Sequence, residues 1–411
     1  MNLIPRQVRD PGRTDGLLLL SEITAAPDPH VQYRQLRVRY GNVAPVALEP
    51  GVPAWLVMGY RELLTLVRQE HVFSRDARNW ADYRSGIVPA DSPLGPMMFP
   101  RDNVIGADGA EHRRLRAPLD HAVAGIDLRA MRRAVKDVCD GLIDGFAARG
   151  RADLVTEYAQ AVPLLALAGQ FGLHGAAGHE LLAALAALFG SGTDSQAGNR
   201  SFEEILRSVR DQRTHRRGDD LTTALATHPA LRTPDEVLQS MVVMISAGQE
   251  TTTIWIARTL ARMLTDDRFA AQLRGGRLGI DDALDAVLKD EPPMTHMPAR
   301  YALADTELGG RPIAAGEVLI LGLAATGTDP AVRPGSPAPG SRAHLAWSAG
   351  PHGCPARVPA RLIAHTAVET VLRRLPGIHL TEDTTAISYR PSPWTRFLSQ
   401  LPVRFPPNPG A

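Results

Sequence analysis

The sequence predicts an α+β fold that is mostly helical, a large helical region with a smaller β-rich lobe. Three observations carry this expectation. Helical patterns dominate from residue 111 to residue 290. Within them, residues 233 to about 266 read as one helix, long enough at 1.5 Å per residue to span roughly 45 Å. Strand-type runs are confined to residues 43 to 48, 54 to 58, about 300 to 320, and the C-terminal end. Helices segregated from a smaller group of strands are the pattern of α+β architecture.

Taken in order, residues 1 to 29 read as an N-terminal extension and residues 30 to 411 as a single domain, because no linker or repeat divides the chain. Residues 30 to 75 mix a helix with the first strands. Residues 76 to 110 form a Pro- and Gly-rich loop holding Trp80, Tyr83, Met97, Met98 and Phe99. Met131-Arg132-Arg133-Ala134-Val135-Lys136-Asp137-Val138-Cys139 has an amphipathic helical pattern, which makes Cys139 a small core residue. The long helix has a marked start: Thr233 can cap it, Pro234 suits its first position, and Glu236 completes a capping box. A shorter helix ends at Pro292-Pro293, strands return, and a Pro- and Gly-rich meander runs from residue 329 to 342.

Composition narrows the class. Hydrophobic residues at 44% and charged residues at 22% are globular values. The 45 basic and 44 acidic residues leave a net charge of +1, which gives no whole-protein attraction to nucleic acid. Only Lys136 and Lys289 among the basic residues are lysines, a bias that reflects a GC-rich genome rather than function. The apolar run at residues 17 to 20 is far shorter than the roughly 18 residues of a membrane span, so a cytoplasmic protein that uses no membrane is expected.

The chemistry centres on Ala346-Trp347-Ser348-Ala349-Gly350-Pro351-His352-Gly353-Cys354-Pro355-Ala356-Arg357. Gly353 permits a sharp bend and Pro355 suits a first helical position, so Cys354 is placed at a helix N-terminus, where backbone N–H groups stabilise a thiolate. With only Cys139 besides it, and no histidines at finger or ribbon spacing, a structural zinc site is excluded. A lone thiolate suits haem iron.

This loop resembles the haem-binding loop of the cytochromes P450, with Trp347, Ser348 and Ala356 standing where that family usually has Phe, Gly and Gly. Two further motifs share the resemblance: Glu111-His112-Arg113-Arg114-Leu115-Arg116, matching a His-x-x-x-Arg helix, and Ala247-Gly248-Gln249-Glu250-Thr251-Thr252, matching the oxygen-activation motif at the middle of the long helix. The resemblance covers roughly residues 30 to 405 and implies the cytochrome P450 fold, its long central helix lying over haem b. It implies that Cys354 is the axial ligand of the iron and that His112, Arg116, Arg300 and His352 hold the propionates. Trp347, Gly350 and Ala356 contact the haem, Ala247 and Gly248 leave room for O2 and substrate, and Glu250 and Thr251 handle protons. Thr251 can also bond back to a carbonyl one turn earlier and loosen the helix for water.

One landmark is missing. The helix before the strands carries Asp285-Ala286-Val287-Leu288-Lys289-Asp290, with Ala286 and Lys289 where the family has the Glu and Arg of a buried ion triad. Loss of both partners together is less damaging than loss of one. This degeneracy, with Trp255-Ile256-Ala257-Arg258-Thr259-Leu260, resembles P450-like proteins of actinobacterial conservon operons. Two function classes stay open: a monooxygenase or oxidative-coupling oxidoreductase of bacterial secondary metabolism, and a haem-binding regulatory or interaction protein with little turnover. The intact Glu250 and Thr251 favour the enzyme.

By the same resemblance the substrate pocket is lined by Met97, Met98, Phe99, Val243, Met244, Ala247, Met294, Thr295, His296, Met297 and Trp394, an apolar and methionine-rich set suited to a bulky, partly aromatic small molecule. Electrons come from NAD(P)H through ferredoxin reductase and ferredoxin to a monomeric enzyme. Arg113, Arg114, Arg357 and Arg361 are candidates for a cationic face toward an acidic ferredoxin.

Overall fold

Pro50 and Gly51 fold the first two apolar runs into a hairpin. β1 (Val43–Glu49) and β2 (Val52–Val57) pair antiparallel from Val43 with Val57, and Gly51 takes φ +81°, the left-handed conformation a tight turn requires at its third residue. The computed structural model describes residues 14 to 189, 195 to 274, 278 to 332, 344 to 381 and 387 to 407. These residues form two compact units built from interleaved segments of chain.

The first unit comprises residues up to Arg113, Leu288–Cys354 and Tyr389–Phe397. Among the described residues it holds a five-stranded sheet in which β3 (Phe73–Ser74), β4 (Met297–Ala302) and β5 (Val318–Leu321) join the hairpin in the order β1-β2-β5-β4-β3. β2 and β5 run parallel; the other pairs are antiparallel. Successive side chains of a strand point to opposite faces. Ala54, Leu56, Val318 and Ile320 therefore enter one apolar cluster with Leu20, Tyr33 and Trp80, while Trp55, Val57, Leu319 and Leu321 enter another with Leu63, Leu66 and Phe73. Helix α1 (Pro29–Tyr40), capped by Asp28 through His30 N, supplies Tyr33, and α2 (Tyr60–Arg68) supplies the two leucines.

The second unit comprises Arg114–Val287, Pro355–Ser388 and the chain from Leu398 onward. Helix α3 (Gly109–Ala124) begins in the first unit and continues into the second. It is followed by α4 (Leu128–Ala147), α5 (Ala161–Gln170), the 32-residue α6 (Pro234–Thr265), α7 (Ile280–Asp290) and α8 (Arg357–Arg374). Met131, Val135, Cys139, Ile143 and Phe146 form the buried stripe of α4. Burial pushes the Cys139 thiol up to about 12, and it is the core residue the sequence indicates.

Several expectations are corrected. Leu20 and Ile23, on a short helix (Leu20–Ala25), are fully buried in the first unit, so residues 20 to 29 are part of its core rather than an extension. The helical region is interrupted at Arg151–Asp153, a strand paired with Pro402–Arg404, because Gly150 turns the chain at φ +65°. At the start of α6, Thr233 Oγ1 accepts from Glu236 N at 3.1 Å, but the Glu236 carboxylate accepts from Arg232 N and pairs with Arg114, so only half of the capping box forms. That pairing holds Glu236 at about 2, below its ordinary range. Most of the expected meander, from residue 333, lies outside the described residues.

Candidate active site

The loop that carries Cys354 is shaped by backbone turns. Ser348 N donates to Leu345 O, Gly353 N to Gly350 O, and Cys354 N back to Trp347 O at 2.9 Å. Leu345 and Ala349 pin the loop to the apolar cluster that contains Leu66 and Val67. Two residues take positive φ: Gly350 at +67°, and Ser348 at +56°. Helix α8 starts at Arg357 rather than at Pro355, with Ala356 at its N-cap and Pro359 as the third residue, where a missing N–H costs no helical bond. Cys354 thus precedes the N-cap by two residues and sits less directly on the helix terminus than the sequence suggests.

Beside this loop, within the first unit, lies a buried polar group. His112 is 2% exposed and its ring lies against that of His352, tilted by 40° with centroids 3.9 Å apart. His352 Nε2 lies 3.4 Å from Glu70 Oε1 and 4.0 Å from Asp108 Oδ1. Arg75 spends its guanidinium on the carbonyls of Ile105, Pro298 and Ala299. Arg300 is 1% exposed, and its Nη1 reaches only the Ala299 carbonyl, at 3.3 Å; among the described residues Nε and Nη2 meet no acceptor. Burial, aided by the like charge of Arg75, drives the Arg300 pKa well below its ordinary value. A guanidinium with unsatisfied donors in a buried setting is a strong demand for an anion. The carboxylates of a haem would meet that demand, so the residues fit the group. Glu70, Arg75 and Asp108 have no place in the sequence motifs. Only Asp108, three residues ahead of Glu111, could have been suspected.

In the second unit, α6 is buried along much of its length, yet Val243, Met244, Glu250 and Thr251 are partly accessible and Ala247 is exposed. These positions recur at helical spacing, leaving one open face at mid-helix. Thr251 Oγ1 donates to Ala247 O at 2.6 Å, the back-bond anticipated, although the helix runs unbroken through it. Gly248 faces packing instead: a Cβ there would lie 3.0 Å from Leu167 Cδ1 of α5. Arg116 donates through Nε to Asp120 at 2.7 Å.

Of the expected pocket residues in the first unit, Met98 and Trp394 are buried in one cluster, with Phe99 and Met294 packed against it, while Met97 is exposed. Thr295 N and His296 N both donate to Trp394 O, joining the two segments. His296 is fully buried and both its nitrogens are engaged, Nε2 with Tyr33 OH and Nδ1 with Pro393 O, each at 2.8 Å. It serves the fold and has no ring nitrogen to offer a substrate.

Burial pushes His296 down to about 4, against about 6.5 when unfolded. Because the folded-state value is the lower one, stability is complete above about pH 6.5 and falls as pH drops toward 4, by up to about 3 kcal/mol. Denaturant unfolding between pH 7.5 and 4.5 should show this slope, and His296→Gln should flatten it while lowering stability at neutral pH. An unchanged slope would assign the acid sensitivity elsewhere.

Two of the arginines proposed for a partner surface are otherwise committed. Arg114 pairs with Glu236 at 2.7 Å, and Arg361 pairs with Asp285; Arg113 and Arg357 are exposed. Among the described residues no helix is long and apolar enough to cross a membrane.

A cysteine loop ahead of a helix, together with buried donors for carboxylates, marks the class of haem-thiolate oxidoreductases. No family model matches the chain. It is, however, 27% identical over 370 residues to 2-hydroxy-5-methyl-1-naphthoate 7-hydroxylase of Streptomyces carzinostaticus, covering 86% of this chain and 89% of that protein. It is 26% identical to cytochrome P450 monooxygenase PikC of Streptomyces venezuelae, covering 92% of both. Among solved structures, CYP154A1 from Streptomyces coelicolor A3(2) superposes with a TM-score of 0.81 at 28% identity, over 93% of this chain and 98% of that one. The chain has the fold of the cytochromes P450 and is similar to their monooxygenases, which makes it an oxidoreductase of that class.

Proposed function

We propose that this chain oxidises a bulky, partly aromatic small molecule of bacterial secondary metabolism, by hydroxylation or oxidative coupling, and that the Cys354 thiolate would hold the iron of haem b. The observation that carries the cofactor assignment is Arg300, buried with two donor nitrogens that meet no acceptor among the described residues. His112 and His352 are grouped with it in the first unit, and Arg116 follows one turn after His112 on α3. Trp347, Gly350 and Ala356 complete the haem contacts inferred from the loop motif. When bound, haem supplies O2 binding and reductive O–O cleavage.

The chain's own residues supply protons and shape. At rest Thr251 Oγ1 donates its one hydrogen to Ala247 O; turned away from that carbonyl, it gives this hydrogen to the open face of α6 and takes a replacement proton from the Glu250 side. Ala247 keeps that face low. In the first unit, Met98, Phe99 and Trp394 share one apolar cluster and Met297 packs on another, with Thr295 alongside. In the second, Val243 and Met244 lie on the open face of α6. Each set favours an apolar substrate, as the aromatic acid named for the naphthoate hydroxylase suggests. Electrons from NAD(P)H arrive through a ferredoxin reductase and an acidic ferredoxin, in the cytoplasm, with exposed Arg113 and Arg357 among the cations available to that partner.

The carbon monoxide complex of the reduced protein tests the ligand: the red-shifted Soret band of thiolate ligation is expected, and a band of histidine or protonated-thiol ligation would overturn the assignment. With haem retained, Thr251→Ala should lower product formed per electron consumed by about a hundredfold, the lower end of the range for a lost proton-transfer group. Equal coupling in variant and wild type would remove Thr251 from the relay.

A further inference from the structure

The helix that leaves the cysteine loop has no capping side chain. Ala356 is its N-cap and supplies no side-chain bond to the open N–H groups. What holds its first turns lies one turn further on. The Arg361 guanidinium pairs with Asp285 Oδ1 on α7, approaches Asp281 Oδ1 at 3.6 Å, and sits 5.5 Å above the ring centroid of Trp255 on α6. Trp255 is itself fixed, its Nε1 donating to Leu284 O at 3.0 Å, and His365 Nδ1 meets Asp281 Oδ1 at 3.2 Å. Three helices of the second unit therefore converge on one arginine.

The Asp285 side chain is only 9% exposed. A carboxylate so placed is stable only with its cation, and the cation in turn loses torsional freedom over the indole. Asp285 is adjacent to Ala286, so α7 retains an ionic anchor although the residues expected for one, at 286 and 289, are an alanine and a lysine. The partner of that anchor belongs to α8, whose first residue is three positions after Cys354.

We propose that Arg361 is a positioning residue for the Cys354 thiolate: pinned by Asp285 and Asp281, it fixes the start of α8 and so the downstream end of the ligand loop. This rests on the reading of Cys354 as the haem ligand. The upstream end is fixed by the bonds from Cys354 N to Trp347 O and from Gly353 N to Gly350 O. A loop held at both ends presents its sulfur in one direction. Released at one end, it allows the sulfur to lengthen its bond and take up a proton.

The reduced, carbon-monoxide-bound holoenzyme reports this directly, as the ratio of thiol-type to thiolate-type Soret bands, alongside thermal stability. Arg361→Gln should raise that ratio about tenfold, because the largely buried Asp285 loses the half-buried cation opposite it, and Arg361→Lys should recover part of the thiolate form. Arg374→Gln is the control. Arg374 pairs with Asp140 and Asp144 at the far end of the same helix, so its loss should lower the melting temperature with the ratio unchanged. If Arg361→Gln gives no soluble protein, Asp285→Asn and Arg361→Lys are read by the same ratio. Variants that melt earlier but keep the wild-type ratio would show Arg361 to be structural only and overturn the proposal. Wild-type protein lacking the thiolate band would instead refute the reading of Cys354, a distinct result.

Discussion

Replacing Arg300 with methionine is expected to stabilise the haem-free protein and to weaken its hold on haem, two effects of opposite sign from one substitution. Arg300 is the most deeply buried arginine among the described residues of the first unit, and its one bond to them is a 3.3 Å contact to the neighbouring Ala299 carbonyl. Leaving buried donors without acceptors costs about 1–3 kcal/mol, which methionine of similar length would restore. With haem present the balance reverses. A charge-assisted pair with a carboxylate is lost from a dry site, and haem should leave at least about a hundredfold faster, the equivalent of about 3 kcal/mol. Melting of haem-free and haem-loaded protein, with haem transfer to a scavenger, measures both. A variant less stable in both states would mean that Arg300 serves the fold alone.

The second large effect belongs to the cysteine loop. A Cβ on Gly350 would lie 2.4 Å from the Val67 carbonyl oxygen, a backbone atom that cannot rotate away, and φ is +67°. Gly350→Ala should therefore cost at least about 3 kcal/mol, combining left-handed strain with a backbone collision. Two residues earlier the sign inverts. Ser348 already carries φ +56° with a buried hydroxyl that meets no partner among the described residues, so Ser348→Gly should gain about 1 kcal/mol. Denaturant midpoints of the two variants decide the matter. Similar small changes in both would show that the loop relaxes around either residue.

That loop also shows what the sequence carries and what it hides. Cys354, the glycines around it and the Thr251 back-bond are local: each depends on residues within a turn or two, and each is recoverable from spacing. The start of α6 at Pro234 and its end at Thr265 are equally local, set by a cap and by the loss of apolar periodicity. The division into two units was not legible, because interleaved segments leave no linker to find. Glu70 was hidden for a related reason. It follows an ordinary helix and matches no motif, and only tertiary packing brings it to His352. Arg114 and Arg361 were read as surface cations because nothing in a helix sequence says which carboxylate will arrive from another helix. Asp285 and Glu236 did.

The parallel pairing of β2 with β5 has a consequence for how the chain is made. About 260 residues separate Val57 from its partner Leu321, and Thr24 waits for the carbonyl of Ser392. At ribosomal rates of about 5–20 residues per second, the first hairpin must remain without its central neighbour for roughly 13 to 52 s after it emerges. Its apolar residues face both ways during that time. Until residue 321 is made, β2 is an open sheet edge, the kind of surface that pairs with other strands unless it is covered.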